Sequence, residues 1–207
     1  KRTGSQRQRV EDRVPQGRVY MVWNVPQFGS ADGNYLDLVS DVLSVGKSSR
    51  LYKRLVYDDQ IATSVNAGVD LREIGGQFQI VATAKAGGDL GAISKAIHEE
   101  LDRFLKEGPT AEELERVKTR YRANFIRGIE RIGGFGGKSD RLAQGQVFLG
   151  DPDAYQVALQ RVAHATAEDL KGAAERWFSD CVYQLDVVPY PDYNAGASAA
   201  DRSGSHP

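Results

Sequence analysis

The sequence predicts an α+β fold: a mostly antiparallel sheet with helices packed on one of its faces. Three observations carry that expectation. Two stretches alternate apolar and polar residues with period 2, around Val19 to Val25 and Phe78 to Ala84. A long middle block carries apolar residues at helical spacing with cap signals between the runs, and a last apolar run, "CVYQLDVVP", reads as one closing strand. Strands that do not alternate strictly with helices are the pattern of helices laid on one sheet face.

Val19, Met21, Trp23 and Val25 alternate with Arg18, Tyr20, Val22 and Asn24, the signature of a strand with one buried face. Pro26 and the stretch Gly-Ser-Ala-Asp-Gly after it break the strand. "YLDLVSDVLSVG" then places Leu36, Val39 and Leu43 on one helical face, with Gly46 as its stop. "SSRLYKRLVYDD" reads as a second, shorter helix on Leu51 and Leu55, with Ser48 and Ser49 as its caps. "IATSVNAGVDLRE" predicts a strand with Ile61, Thr63, Val65, Ala67, Val69 and Leu71 on one face. "GQFQIVATAKAG" predicts its partner, with Phe78, Ile80, Ala82 and Ala84 on one face. The Gly75-Gly76 pair between them predicts an antiparallel hairpin.

From Asp89 the chain turns helical. Leu90, Ile93, Ile97, Leu101 and Leu105 form a stripe closed by Gly108-Pro109. Thr110 followed by Glu113, and Thr166 followed by Asp169, have the spacing of capping boxes. Two further helices in "KSDRLAQGQVFLGDPDAYQVALQRVAHA" are broken at Gly150-Asp151-Pro152. Residues 7–192 contain no linker and read as one domain, flanked by flexible ends at 1–6 and 193–207. The opening "KRTGSQRQRV" is basic without a following apolar stretch, so it reads as the cut end of a longer chain and not as a signal peptide.

Composition narrows the classes of function. The chain has 207 residues, 41% hydrophobic and 27% charged, with a formal net charge of −1. A near-neutral balance argues against nucleic acid as a partner. No apolar run has the length of a membrane span. The single cysteine, Cys181, forbids an intrachain disulfide and reads as a buried, inert thiol.

The chemistry-bearing stretches are individually weak. His98, Glu99, Glu100 and Asp102 share one helix, but a helical zinc pair needs a second histidine three or four residues away, so these read as the polar face of an amphipathic helix. His164 reads as a loop residue before a helix cap, and His206 falls in the tail. The glycine-dense "RIGGFGGKSD" has Ile132 where a phosphate-binding loop needs its first glycine, and it follows a helix and not a strand. It is expected to be a flexible or tightly turned joint, or a place where backbone approaches a partner or peptide closely. Asp58-Asp59 and Glu112-Glu113 fall at helix ends, where solvation and the helix dipole account for them.

Taken together, three stretches do more. "GKSSRLYKRLVYDDQIATSV", "EGPTAEELERVKTRYRANF" and "HATAEDLKGAAERWF" resemble, in order and spacing over roughly residues 9–190, the pitrilysin/insulinase-type zinc metallopeptidases and their mitochondrial-processing-peptidase-like relatives. In that family homologous domains close like a clamshell over a peptide. One half carries H-x-x-E-H and zinc. This chain has no such motif, so it resembles the metal-free C-terminal half. The resemblance implies no cofactor in this chain and zinc in a partner half, on the same longer chain or a separate subunit. It also implies peptide as substrate, no catalytic residue and no activity of the chain alone, and a bacterial periplasm or cell-envelope location.

In active relatives the second half supplies an arginine and a tyrosine near the zinc. Aligned on Leu51 and Leu55, those positions are Val56 and Thr63 here, and both depart from the pattern. Arg54 and Tyr57 are close in sequence but out of register. The substrate-binding residues that the resemblance implies are Arg50, Tyr52, Arg54, Val56 and Thr63. Two other readings stand beside this one: a structural core-type subunit with no proteolytic role, and a peptide-binding module that uses a sheet edge.

Overall fold

The computed structural model describes residues 4–133, 136–179 and 181–191. In chain order the elements are β1 (Gln6–Asp12), β2 (Arg18–Val25), α1 (Ala31–Ser44), α2 (Arg50–Tyr52) running into a π-helical turn (Lys53–Asp58), β3 (Ala62–Leu71) and β4 (Gly76–Ala84). They continue as α3 (Leu90–Glu107), α4 (Ala111–Ile129), α5 (Lys138–Leu149), α6 (Tyr155–His164), α7 (Ala167–Phe178) and β5 (Tyr183–Pro189). The strands form one sheet of order β1-β5-β2-β4-β3. Its pairs are antiparallel except for β1 and β5, which run parallel. The predicted mostly antiparallel α+β architecture is the observed one.

The period-2 faces bury as expected. Val19, Met21, Trp23 and Val25 of β2 and Phe78, Ile80, Ala82 and Ala84 of β4 are all in the core. Helices α1, α3 and α7 close over that face. Phe178 of α7 seats its ring 4.7 Å from Phe78, edge-on, and 5.2 Å from Trp23, tilted, contacts of the kind aromatic quadrupoles favour. Both capping boxes form: Thr110 Oγ1 accepts from Glu113 N–H (3.1 Å) while Glu113 accepts from Thr110 N–H (2.8 Å), and Thr166 and Asp169 repeat the exchange. Under the sheet, a buried polar chain is satisfied link by link. Ser94 Oγ donates to Gln184 Oε1 (3.0 Å), Gln184 Nε2 donates to Asp186 Oδ1 (2.8 Å), and Asp186 meets Arg7 Nη2 at 2.6 Å.

Several expectations change. Helix α1 starts at Ala31, before the predicted Tyr35, because Ser30 is its N-cap and accepts from Gly33 N–H at 3.1 Å. Gly33 fits because a Cβ there would come within 2.8 Å of Leu71 Cδ1, so what looked like a breaker is a close approach. Strand β1 had no sequence signal: all seven residues are exposed, so nothing alternates. It begins at Gln6, one residue before the expected domain start, and the expected flexible end at 193–207 lies outside the described residues. Cys181 is half-buried, not sealed in the core, because it precedes β5. Glu100 is not on a polar face: it is 4% exposed and pairs with Arg103 at 3.0 Å.

Candidate functional site

The stretch that carried the resemblance forms the corner between α1 and β3. Gly46 leaves α1 with φ +87, a conformation glycine tolerates best. Ser49 stands at the N-cap of α2, but its hydroxyl donates back to Gly46 O (2.7 Å) and caps no helix N–H. Ser48 Oγ accepts from Arg116 Nη1 (3.1 Å). Both serines thus tie the turn to its surroundings and do not act as the expected caps.

Arg50 points inward. Its Nε and Nη2 reach Glu113 Oε1 and Oε2 at 2.9 and 2.7 Å, Nη2 also reaches Gly108 O at 2.8 Å, and the guanidinium lies 5.2 Å from the Phe104 ring centroid. Burial works against its charge, but hydrogen bonding to Glu113, with Glu100 and Glu107 adding to the field, holds its pKa above the usual value. Burial likewise pushes the Glu113 carboxyl up, and the Arg50 hydrogen bonds and the Thr110 N–H outweigh it, leaving it below the usual range. Glu113, read from the sequence only as a capping residue, therefore serves two partners at once. Only its tertiary position could have revealed the second.

After α2 the backbone widens into the π turn. Asp59 N–H bonds Arg54 O at 2.9 Å, and Gln60 follows with φ +52. The wider turn rotates the following side chains relative to an α-helix, so sequence register does not carry through it. Val56 packs half-buried on the core, and so does Tyr52. Arg54 lies outside and pairs with Asp59 (2.6 Å) and Glu99 (3.1 Å), while Tyr57 is 72% exposed. Thr63 was expected on the buried face with Val65. A bulge between Ala62 and Ser64 buries Ala62 in its place and turns Thr63 outward, where its hydroxyl meets Thr83 O at 3.3 Å. Of Arg50, Tyr52, Arg54, Val56 and Thr63, three take separate polar partners. Arg50 meets Glu113 and Gly108, Arg54 meets Asp59 and Glu99, and Thr63 meets Thr83 O, while Tyr52 and Val56 pack on the core.

Two sheet surfaces complete the picture. The helix-free face carries a shallow depression of ≈ 290 Å³ over β3 and β4, polar at Asn66, Asp70, Gln77 and Gln79, with Gly68 between them. The open side of β3 is occupied at its centre. Ser44 Oγ of α1 accepts from Ala67 N–H (2.8 Å) and lies 3.3 Å from Ala67 O. That takes support from the reading in which a peptide adds to this edge. Among the described residues no group of three or more histidines, cysteines or acids could hold a metal ion. His98 is exposed, and His164 Nδ1 lies 2.9 Å from Gln160 O. No helix of the described residues is long and apolar enough to cross a membrane.

Residues 1–121 match the profile of the family described as Peptidase M16 inactive domain. The chain belongs to that family. The M16 inactive domain is also what the fold resembles. A protease from Helicobacter pylori superposes with TM-score 0.80 at 23% identity, over 90% of this chain and 45% of that one. A peptidase M16 inactive domain from Pseudomonas fluorescens gives 0.75 at 17%, over 90% and 44%. A chain of complex III2 from Candida albicans gives 0.75 at 11%, over 91% and 46%. This M16 domain thus spans about half the length of these three structures. No curated protein sequence matches it.

Proposed function

We propose that this M16 inactive domain is the metal-free half of a zinc peptidase, closing a chamber over extended peptide for a zinc-bearing half, on the same longer chain or on another subunit. The observation that carries the reading is the helix-free sheet face. Its β3–β4 side offers the donors and acceptors of Asn66, Asp70, Gln77 and Gln79 around the open space at Gly68, which suits the polar main chain of an extended peptide. Its other side carries half-buried Tyr20, Val22, Leu185 and Val187 on β2 and β5, which suits contact with a second folded unit.

Bound in the other half, zinc would polarise the scissile carbonyl and activate water. This chain would contribute position. Val56 lies on the core and Thr63 is a small hydroxyl, so neither supplies the charge or the phenol of active relatives. Holding a substrate in line can still lower a barrier by several kcal/mol, about 7 for a well-oriented pair. Of the five residues singled out, Thr63 is exposed and half-buried Arg54 keeps 39% of its side chain open, so these two can meet peptide, and Arg50, Tyr52 and Val56 shape the corner that carries them. The cell envelope is the compartment that goes with this reading, and fractionation tests it.

The test is reconstitution from a zinc-bearing half and this chain, scored by peptide turnover. Turnover should rise on mixing and fall when Gln77 and Gln79 are changed to alanine, while Val56→Ala should alter it little. A zinc half equally active alone would sink the chamber. The structural-subunit reading would then take its place, favoured by the loss of the family pair at Val56 and Thr63.

A further inference from the structure

We propose that the cavity between α1, α4, α5 and α6 binds a small carboxylate with an aromatic or apolar body about one residue in size. The cavity measures ≈ 300 Å³, which lies at the small end of ligand sites and is too small for a folded partner. It lies apart from the sheet face and the Arg50 corner, and none of the residues proposed to meet peptide lines it.

Its lining has aromatic walls, two arginines and one acid, Asp151. Phe125 of α4 stacks on Tyr155 of α6 at 5.6 Å with 25° between planes, and the Arg141 guanidinium lies 4.9 Å from the Phe125 centroid on the other element, α5. Phe28 closes one end and holds α5 through an edge contact with Phe148 at 5.6 Å. Arg141 Nε is buried without a hydrogen-bond partner, and among the described residues Arg141 forms no ion pair. Arg161 enters from α6. It donates Nη1 to Gly29 O (2.6 Å) and Asn34 Oδ1 (3.4 Å), and it too pairs with no carboxylate.

A buried N–H left without an acceptor is costly, and the two arginines of this aromatic cavity outnumber Asp151, the acid in its lining. Two acids at or beside the cavity have other partners. Asp151 caps Asp153 N–H at 2.8 Å, and Asp41 pairs with Arg120 at 3.3 Å. Asp37 shares an adjoining niche with Asp41, Tyr121, Asn124 and Arg141, and burial and then Asp41 push its carboxyl up. A carboxylate would satisfy Arg141, and an apolar or aromatic body would fill the space beside Phe125 and Tyr155. Such a group could be a free acid or the carboxyl end of a peptide.

The test is calorimetric titration of the purified chain with N-acetylphenylalanine, with its amide, and with a short peptide ending in free phenylalanine. The acid should bind saturably below about 10 mM, and the amide at least about tenfold more weakly. Binding of the peptide as well assigns a chain end, and binding of the acid alone assigns a free acid. Arg141→Gln should weaken the acid at least about tenfold, and Ala158→Leu should remove binding by filling the space, each with an unfolding curve showing the variant folded. No saturable binding of either acid, equal binding of the amide, or unchanged binding in a folded Arg141→Gln overturns the proposal and leaves a water-filled cavity.

Discussion

Arg50 and Glu113 stand 63 residues apart in the chain and share two parallel hydrogen bonds, Nε to Oε1 at 2.9 Å and Nη2 to Oε2 at 2.7 Å. The pair fastens the α2 corner to the first turn of α4. Truncating either partner strands the other charge in a poorly solvated place, so Arg50→Ala should cost about 3–5 kcal/mol. Chemical unfolding of Arg50→Ala, Glu113→Ala and the double variant measures it, and a coupling energy near zero would contradict it. Because Glu113 is held below its ordinary value, this part of the stability is present above that value and is lost as pH falls through the folded one.

Asp37 runs the other way. Burial, and then the neighbouring Asp41, push its carboxyl from 3.8 up to about 6. A raised acid favours the protonated form in the folded state, so its contribution is full below about pH 4 and is lost as pH rises to about 6, a cost of at most about 3 kcal/mol. Asp37→Asn keeps the shape and removes the ionisation. The variant should therefore gain on the parent across that window, and parallel unfolding curves at pH 4 and pH 7 would refute the assignment.

Gly145 sits inside α5, where alanine would ordinarily add about 1 kcal/mol of helix stability. A Cβ there would lie 2.5 Å from Asp151 O and 3.2 Å from Pro152 O. Since both neighbours are backbone, Gly145→Ala should destabilise by about 1–3 kcal/mol. A higher melting temperature would show that the α5–α6 turn yields.

The joint between α4 and α5 is closed by backbone bonds on both flanks: Lys138 N–H to Arg131 O at 2.8 Å, Ser139 N–H to Ile132 O at 3.3 Å and Arg141 N–H to Gly137 O at 3.1 Å. A Cβ on Gly137 would come within 2.8 Å of Gly133 O. Of the two joints expected from "RIGGFGGKSD", these contacts favour the tight turn; Gly134 and Phe135 lie outside the described residues. Hydrogen exchange at Lys138 and Arg141 should be as slow as in the α5 interior, and rates near those of unfolded chain would restore the flexible reading.

What the sequence made legible was local. The alternation in β2 and β4, the Gly75-Gly76 hairpin and the boxes at Thr110 and Thr166 each depend on residues a few positions apart, and each formed. What it hid was distant or irregular. Glu113 as the partner of Arg50, and Ser44 as the cap on Ala67, come from folding and not from spacing. Thr63 was misplaced by one bulge, and Val56 lies within a π turn that breaks helical counting. The cavity of Arg141 and Arg161 had no linear signature, because its walls come from four helices and the loop before α1.

Strand β1 has a consequence for the order in which the molecule assembles. Its side chains are exposed, so it adds a ladder and the Arg7–Asp186 contact, across a separation of 179 residues, but no core volume. Closing so long a loop returns little until β5 has been set in place beside β2. The remaining strands and helices can therefore collapse without it, and a matching strand from a second copy could take its seat by exchange. β1 is the strand that the sheet gains last and gives up first.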